Sequence, residues 1–246
     1  ELAGKAYART ASYDAMIARY FAATQQGGDG WPEFLLGATK KQVLRYGENG
    51  HQKAVLYEGR EGEGVASAVQ LQGKELSYNN INDTDAAWQL VQEFEAPAVA
   101  LIKHANPCGV AVGADVAEAF TKALACDPVS AFGGILATNR AVDAALVEKI
   151  GSLFLEVIVA PEVTDEARAL LSAKKNLRVL VAKGVTRRQA SGVSAWQVKT
   201  IGGGYLVQTA DDVLLEGLSP VVGSPSEAQL ADMRFAFAVA KHVKSN

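Results

Sequence analysis

The sequence predicts an α/β fold in which helices cover a layered β-sheet. Short apolar segments alternate with amphipathic segments along most of the chain, an order that is typical of strand–helix units. One run of five apolar residues, 98–102, is long enough for a fully buried strand and leads into a polar turn signal. Of the 246 residues, 49% are hydrophobic and 21% are charged, which favours an ordinary globular protein with a sizeable core.

Composition and charge exclude several functional classes. The net charge of −3 gives no general electrostatic basis for binding nucleic acid or a membrane, so we expect neither as a partner. The first residues lack a signal-peptide pattern, and no apolar run approaches the length of a membrane span. The two cysteines, Cys108 and Cys126, have neither disulfide nor zinc spacing. This usage favours a reducing compartment, and we expect a cytoplasmic protein.

The first element is a helix predicted over residues 2–21, because Tyr13, Ile17 and Tyr20 share one face at a spacing of 3.6 residues. A glycine-rich linker signal follows at 25–30. We therefore expect this helix to be the tail of a preceding unit or a bridge into the main domain.

Two polar segments precede the central strand. The segment 43–52 opens like a strand and continues as a polar loop with Arg45 and Tyr46, which could bind an anion through the forked guanidinium or could be an ordinary turn. A strand fragment at 71–78 leads to successive amides at 79–82 and to a helix that Asp83 could cap. These amides could bind a polar ligand or serve only as caps.

The central strand ends in Lys103 and His104, followed by the turn signal Asn106-Pro107. A histidine can take a proton near neutral pH, and a lysine can stabilise developing negative charge. Both side chains can reach one site only where the strand ends, and Pro107 favours such an end. The alternative is a surface lysine beside a hydrogen-bonded histidine.

The remaining elements continue the alternation. Asp115 is predicted to cap a helix that runs to about residue 125. Ser224-Pro225 is predicted to open a long final helix, and the triple glycine 202–204 lies in a strand-rich segment, 194–206, as a bulge or a close backbone approach. The other predicted strands are 135–137, 157–160 and 177–181, and the other predicted helices are 141–150 and 165–173.

Several motifs taken together resemble one family. They are Leu44–Asn49 with His51-Gln52, Lys103–Gly109, Asp127–Gly134, Glu156–Pro161 and Lys244–Asn246, all in the same order along the chain. The family is the bifunctional purine-biosynthesis family, which joins an inosine monophosphate (IMP) cyclohydrolase to an aminoimidazole carboxamide ribonucleotide (AICAR) transformylase. The resemblance implies that residues 1–30 are the tail of the cyclohydrolase domain with a linker. Residues 31–246 would be the first half of a transformylase domain, similar to a cytidine-deaminase-like α/β unit.

The resemblance also implies a reaction, a site and an assembly. A formyl group would pass from the co-substrate 10-formyltetrahydrofolate to the exocyclic amine of AICAR, in a homodimer that shares its active site. By resemblance, His104 accepts a proton from the amine, Lys103 stabilises the oxyanion, and Asn246 hydrogen-bonds near the reacting centre. The implied substrate-binding residues are Arg45, Tyr46, Asn79, Asn80, Phe132, Gly133 and Glu156.

Departures from related patterns limit these expectations. The zinc deaminases use H-x-E and P-C-x-x-C, whereas Pro107-Cys108 lacks the second cysteine and the chain has no His-x-Glu. We therefore expect no zinc, while a structural monovalent cation stays open. Gly50 stands where the family usually has proline, which should loosen its loop.

Three functional hypotheses follow. The first is the formyltransferase portion of the bifunctional protein. The second is a catalytically silent fragment that binds its missing half, or itself, as a structural piece, since most of the cyclohydrolase domain and the second transformylase half are not in this chain. The third is a Schiff-base enzyme that uses Lys103 as its nucleophile.

Overall fold

A computed structural model describes residues 1–24, 37–59, 62–184, 196–211, 215, 217 and 219–244. It confirms the predicted α/β class, with helices packed on a six-stranded mixed sheet. The helices are Leu2–Thr24 (α1), Tyr78–Val91 (α2), Val116–Cys126 (α3), Ala144–Ile150 (α4), Asp165–Leu171 (α5) and Glu227–Ala240 (α6). The strands are Thr39–Leu44 (β1), Ala54–Glu58 (β2), Val69–Gln72 (β3), Ala98–Lys103 (β4), Asn106–Val112 (β5), Gly134–Thr138 (β6), Leu155–Ala160 (β7), Arg178–Val181 (β8), Trp196–Ile201 (β9) and Gly204–Thr209 (β10).

The sheet has the strand order β3-β8-β7-β6-β4-β5. Strands β6, β7 and β8 are parallel, whereas β4 is antiparallel to both β5 and β6, and β3 is antiparallel to β8. The pairs β1–β2 and β9–β10 form separate antiparallel hairpins.

The core lies on both faces of this sheet. Residues 98–102 of β4 are fully buried, as their continuous apolar run predicts. Side chains of α3, α4 and α5 pack on one face, with Phe120 at the centre, and α2 covers the other face with Trp88. Burial on both faces explains why β4, β6 and β7 read as apolar runs rather than as alternating patterns.

Helix caps decide several boundaries. Asp115 caps α3 as predicted, because its carboxylate accepts a hydrogen bond from the Glu118 N–H at 2.8 Å. The cap of α2 is Ser77, not Asp83, and the cap of α6 is Ser226, not Ser224. In both helices the side-chain amide oxygen of the residue three positions later, Asn80 or Gln229, accepts a hydrogen bond from the backbone N–H of the cap residue, which completes a capping box that fixes the first turn.

Other predictions are confirmed or corrected in detail. The helix predicted over 141–150 begins only at Ala144, because Asp143 caps it. The strand fragment predicted at 71–78 is β3, which ends at Gln72. Gly202 and Gly203 form the turn of the β9–β10 hairpin rather than a bulge, and φ is +80° at Gly203.

The N-terminal helix α1 is exposed along nearly its whole length, including the aromatic residues Tyr7, Tyr13 and Tyr20. The linker signal at 25–30 lies outside the described residues. Within the described parts of the chain, no helix has the length and apolarity that crossing a membrane requires.

Candidate active site

Several strands begin or end at one edge of the central sheet. Because β4 runs antiparallel to β6, the end of β4 lies beside the start of β6, and the parallel strands β7 and β8 start at the same edge. This topology brings the predicted residues Lys103, His104, Phe132, Gly133 and Glu156 to one edge, although they are separated by up to 53 positions in the sequence. This edge holds the carboxyl end of β4 but the amino ends of β6, β7 and β8, whereas open parallel sheets usually bind ligands at the carboxyl ends of their strands. The candidate site therefore depends on the antiparallel strand β4.

A strained two-residue turn joins β4 to β5 at this edge. His104 and Ala105 both lie in the left-handed region, with φ of +53° and +56°, and the flanking residues Lys103 and Asn106 pair with each other. Such non-glycine conformations cost on the order of 1–3 kcal/mol each and cluster at functional sites. Strand β4 therefore ends at Lys103, four residues before Pro107, the residue that favours a strand end in the sequence. Pro107 itself lies in β5, an edge strand, where a missing N–H is tolerated.

The Lys103 ammonium is held against the backbone at the start of β6. Its Nζ donates a hydrogen bond to the Phe132 carbonyl oxygen at 2.5 Å. Gly133, with φ of +69°, allows this approach, because a Cβ there would lie 3.1 Å from the Lys103 Nζ. The Phe132 ring is 60% exposed, and its centroid lies 5.4 Å from that of Phe154. The edge thus presents a positive charge beside an exposed aromatic surface.

Glu156 occupies a β-bulge at the start of β7. Gly134 pairs with Leu155 and Ile135 pairs with Val157, which leaves Glu156 as the extra residue. Its Oε2 accepts a hydrogen bond from Arg178 Nη1 at 2.7 Å, and Arg178 Nε donates to the Glu75 carbonyl oxygen at 2.9 Å. The largely buried Arg178 therefore ties Glu156 to the segment before α2.

Sequence reasoning missed Arg178, because it lies 22 positions from its partner and belongs to no motif. The signal available was a charged residue at the start of a predicted buried strand.

The Arg45 loop lies on the β1–β2 hairpin, apart from the strand ends. It is closed by a hydrogen bond from the Gly47 N–H to the Gln52 carbonyl at 2.8 Å, with Arg45 exposed and Tyr46 half-buried. Asn79 Nδ2 donates to the Glu48 carbonyl at 3.3 Å, so this loop touches the first turn of α2. These contacts join the loop to α2, which starts after β3 at the same edge of the sheet.

The last two predicted site residues are Asn80 and Asn246. The side-chain oxygen of Asn80 accepts a hydrogen bond from the Ser77 N–H at 3.1 Å, so it belongs to the α2 cap. Asn246 lies outside the described residues. The described chain ends close to the site, however, because the Lys244 N–H donates to Asn106 Oδ1 at 2.8 Å, next to the His104–Ala105 turn. The role of both residues in binding or catalysis stays a prediction.

Comparison with known proteins gives the family. A model of the AICARFT/IMPCHase bienzyme family matches residues 1–246. The chain belongs to this family. It is 56% identical to the bifunctional purine biosynthesis protein PurH of Chelativorans sp. (strain BNC1), 54% identical to PurH of Rhizobium johnstonii and 53% identical to PurH of Parvibaculum lavamentivorans. All of this chain aligns in each case, but it covers 46% of each relative, so the chain spans about half the length of these proteins.

This membership agrees with the resemblance on which the site residues were predicted. The described residues of this AICARFT/IMPCHase family member include no group of three or more His, Cys, Asp or Glu that could hold a metal ion. The expectation that no zinc is bound stays a prediction.

Gly133→Ala is expected to lower both stability and activity. A left-handed conformation costs an alanine about 1–2 kcal/mol, and the added Cβ would press on the Lys103 ammonium. The matched control is Gly50→Ala, because Gly50 has open space around its Cβ position and no positive φ. We expect Gly50→Ala to stabilise the fold by about 0.4–1 kcal/mol. Urea unfolding of both variants measures the difference, and equal stability would contradict the prediction.

A cleft between the β1–β2 hairpin and α2 contains a carboxyl group that sequence reasoning also missed. Burial raises the pKa of Asp85 above its usual value, and the hydrogen bond from Gln89 Nε2 at 2.6 Å and the charge of Lys244 only partly oppose this. A perturbed carboxyl group in a cleft is a functional-site candidate. The cleft is lined by Leu44, Val55, Leu56, Val65, Ala66, Tyr78, Ile81, Asn82 and Asp85.

Asp85→Asn is expected to raise the stability of the fold at pH 7. Because the pKa of Asp85 is higher in the folded than in the unfolded chain, its ionised form destabilises the fold. This penalty is present at neutral pH and disappears below pH 3.8, where the carboxyl is protonated in both states. Melting temperatures at pH 7 and pH 3 should show a gain only at pH 7. An equal gain in the control Asp83→Asn, on the same helix, would contradict this origin.

Proposed function

We propose that the protein containing this chain transfers a formyl group from 10-formyltetrahydrofolate to the exocyclic amine of AICAR, as a step of purine biosynthesis. The observation that carries the proposal is the edge where the Lys103 ammonium, the strained His104 turn and Gly133 meet. The names of the relatives, bifunctional purine biosynthesis proteins, agree with it. In this proposal the longer protein also contains an IMP cyclohydrolase.

The chemistry assigns one role to each of the two strand-end residues. The amine nitrogen attacks the formyl carbon, and His104 accepts the proton that the nitrogen loses. The carbonyl oxygen becomes an oxyanion, which the Lys103 ammonium stabilises in place of its hydrogen bond to the Phe132 carbonyl. The bond from the formyl carbon to the folate nitrogen then breaks, and tetrahydrofolate leaves with a proton on that nitrogen.

The proposal assigns substrate binding to the other predicted site residues. The exposed Phe132 ring, packed on Phe154, offers an apolar surface for a planar ring system. Arg45 and Tyr46 would hold the nucleotide phosphate, with Asn79 linking their loop to α2. Glu156, oriented by Arg178, can accept hydrogen bonds from hydroxyl or amine groups of the substrate.

The proposal extends to the arrangement of the whole protein. Residues 1–30 would end the cyclohydrolase domain, and residues 31–246 would form the first half of the transformylase domain. Asn80, Gly133 and Asn246 would line the same pocket, completed by the second half in a cytoplasmic homodimer. A structural monovalent cation is compatible with this arrangement, and no zinc takes part in it.

The test is a steady-state assay of the full-length protein. Tetrahydrofolate should form only when AICAR and 10-formyltetrahydrofolate are both present. Absence of turnover with both substrates would overturn the proposal. Borohydride with a carbonyl ligand should not trap Lys103; covalent trapping would favour the Schiff-base alternative.

A further inference from the structure

A buried carboxylate outside the proposed reacting centre holds the end of α6. Glu93 follows α2, and its side chain is only 2% exposed. Its Oε1 lies 2.9 Å from His242 Nε2 and 3.2 Å from Lys241 Nζ, and both basic side chains are themselves largely buried. One carboxylate therefore contacts two consecutive basic residues at the end of α6, His242 through a hydrogen bond and Lys241 through an ion pair without hydrogen-bond geometry.

This buried contact restricts the positions of its partner side chains more than a surface ion pair does. Removing a carboxylate from water carries a large desolvation penalty, which only well-placed partners can offset. The rings of Phe94 and Phe235 stack beside it with centroids 5.2 Å apart, so an apolar contact joins the same two segments. The two interactions fix the end of α6 against the segment that follows α2.

The chain then passes directly to the proposed active site. Two residues after His242, the Lys244 N–H donates to Asn106 Oδ1 at 2.8 Å. Asn106 pairs with Lys103 across the strained turn that contains His104. A shift at residues 241–244 would therefore be transmitted to Asn106 and to the turn.

We propose that Glu93 is a positioning residue for formyl transfer. By anchoring Lys241 and His242, it holds the Lys244 N–H on Asn106 and so fixes the turn that presents His104 beside Lys103. This inference rests on the proposed function, because its effect is measured as formyl transfer. It assigns a role to a residue that touches neither substrate.

The test compares Glu93→Gln with Glu95→Gln in the full-length protein. Glutamine keeps the size of the Glu93 side chain but removes the charge that holds two basic groups. We expect kcat to fall at least tenfold in Glu93→Gln, with KM for AICAR within twofold, and Glu93→Asp to recover part of the loss. The exposed Glu95 lies two positions away, and Glu95→Gln should leave kcat unchanged.

A double-mutant cycle with Asn106→Ala tests the route. If Glu93 acts through the Lys244–Asn106 contact, the double variant should lose no more kcat than Asn106→Ala alone. Additive losses would overturn the inference, as would a Glu93→Gln variant with wild-type kcat. An inactive wild-type protein would instead overturn the proposed function. If Glu93→Gln does not fold, partial kcat in folded Glu93→Asp supports the inference, and unchanged kcat there overturns it.

Discussion

Replacement of His104 by alanine in the full-length protein is expected to lower kcat for formyl transfer by about 100- to 10,000-fold. His104 lies exposed on the turn after β4, next to Lys103 in the chain, where a base can meet the attacking amine. KM for AICAR should change only a few-fold, because the loss concerns proton transfer rather than binding. A loss in kcat below tenfold, measured with both substrates saturating, would show that His104 is not the base.

A second variant distinguishes the loss of the basic ring from a change in the backbone of the turn. The φ of +53° at His104 strains alanine, whereas asparagine tolerates the left-handed region. His104→Asn therefore preserves the turn but removes the basic ring. Similar losses in both variants would support the base, and near wild-type kcat in His104→Asn would assign the effect to the turn.

Replacement of Lys103 by methionine is expected to lower kcat by about 100- to 1,000-fold, the usual cost of losing an oxyanion donor. Methionine keeps the length and apolar character of the side chain, but it cannot donate to the Phe132 carbonyl or to an oxyanion. Because the oxyanion develops only in the transition state, the loss should appear in kcat rather than in KM.

The matched control is Lys122→Met on α3. Lys122 is an exposed lysine that pairs with Glu118 on the same helix, and this contact should contribute little. The kcat of Lys122→Met should equal that of the wild-type protein. A loss as large as that of Lys103→Met would mean that removing any positive charge from this chain impairs the reaction.

Local patterns predicted much of the fold because they act over a few residues. The apolar run 98–102 predicts a buried strand wherever the strand lies in the sheet, and Asp115 caps α3 through an atom three residues away. The cap of α2 is harder to predict from local pattern. Ser77 and Asp83 are both good cap residues, and only Ser77 forms the reciprocal bonds with Asn80 that start α2.

The sequence by itself determined the class of fold, the buried strand that ends in Lys103 and His104, and the family motifs from which this strand end is predicted to be the reacting centre. Only the tertiary structure decided which distant residues meet there. Strand order and direction place Gly133 against Lys103 and Arg178 against Glu156, and the packing of α6 on the segment after α2 brings Lys244 to Asn106. Side-chain periodicity shows which face of a strand is buried but not which strand lies beside it, so periodicity does not predict which residues make these contacts.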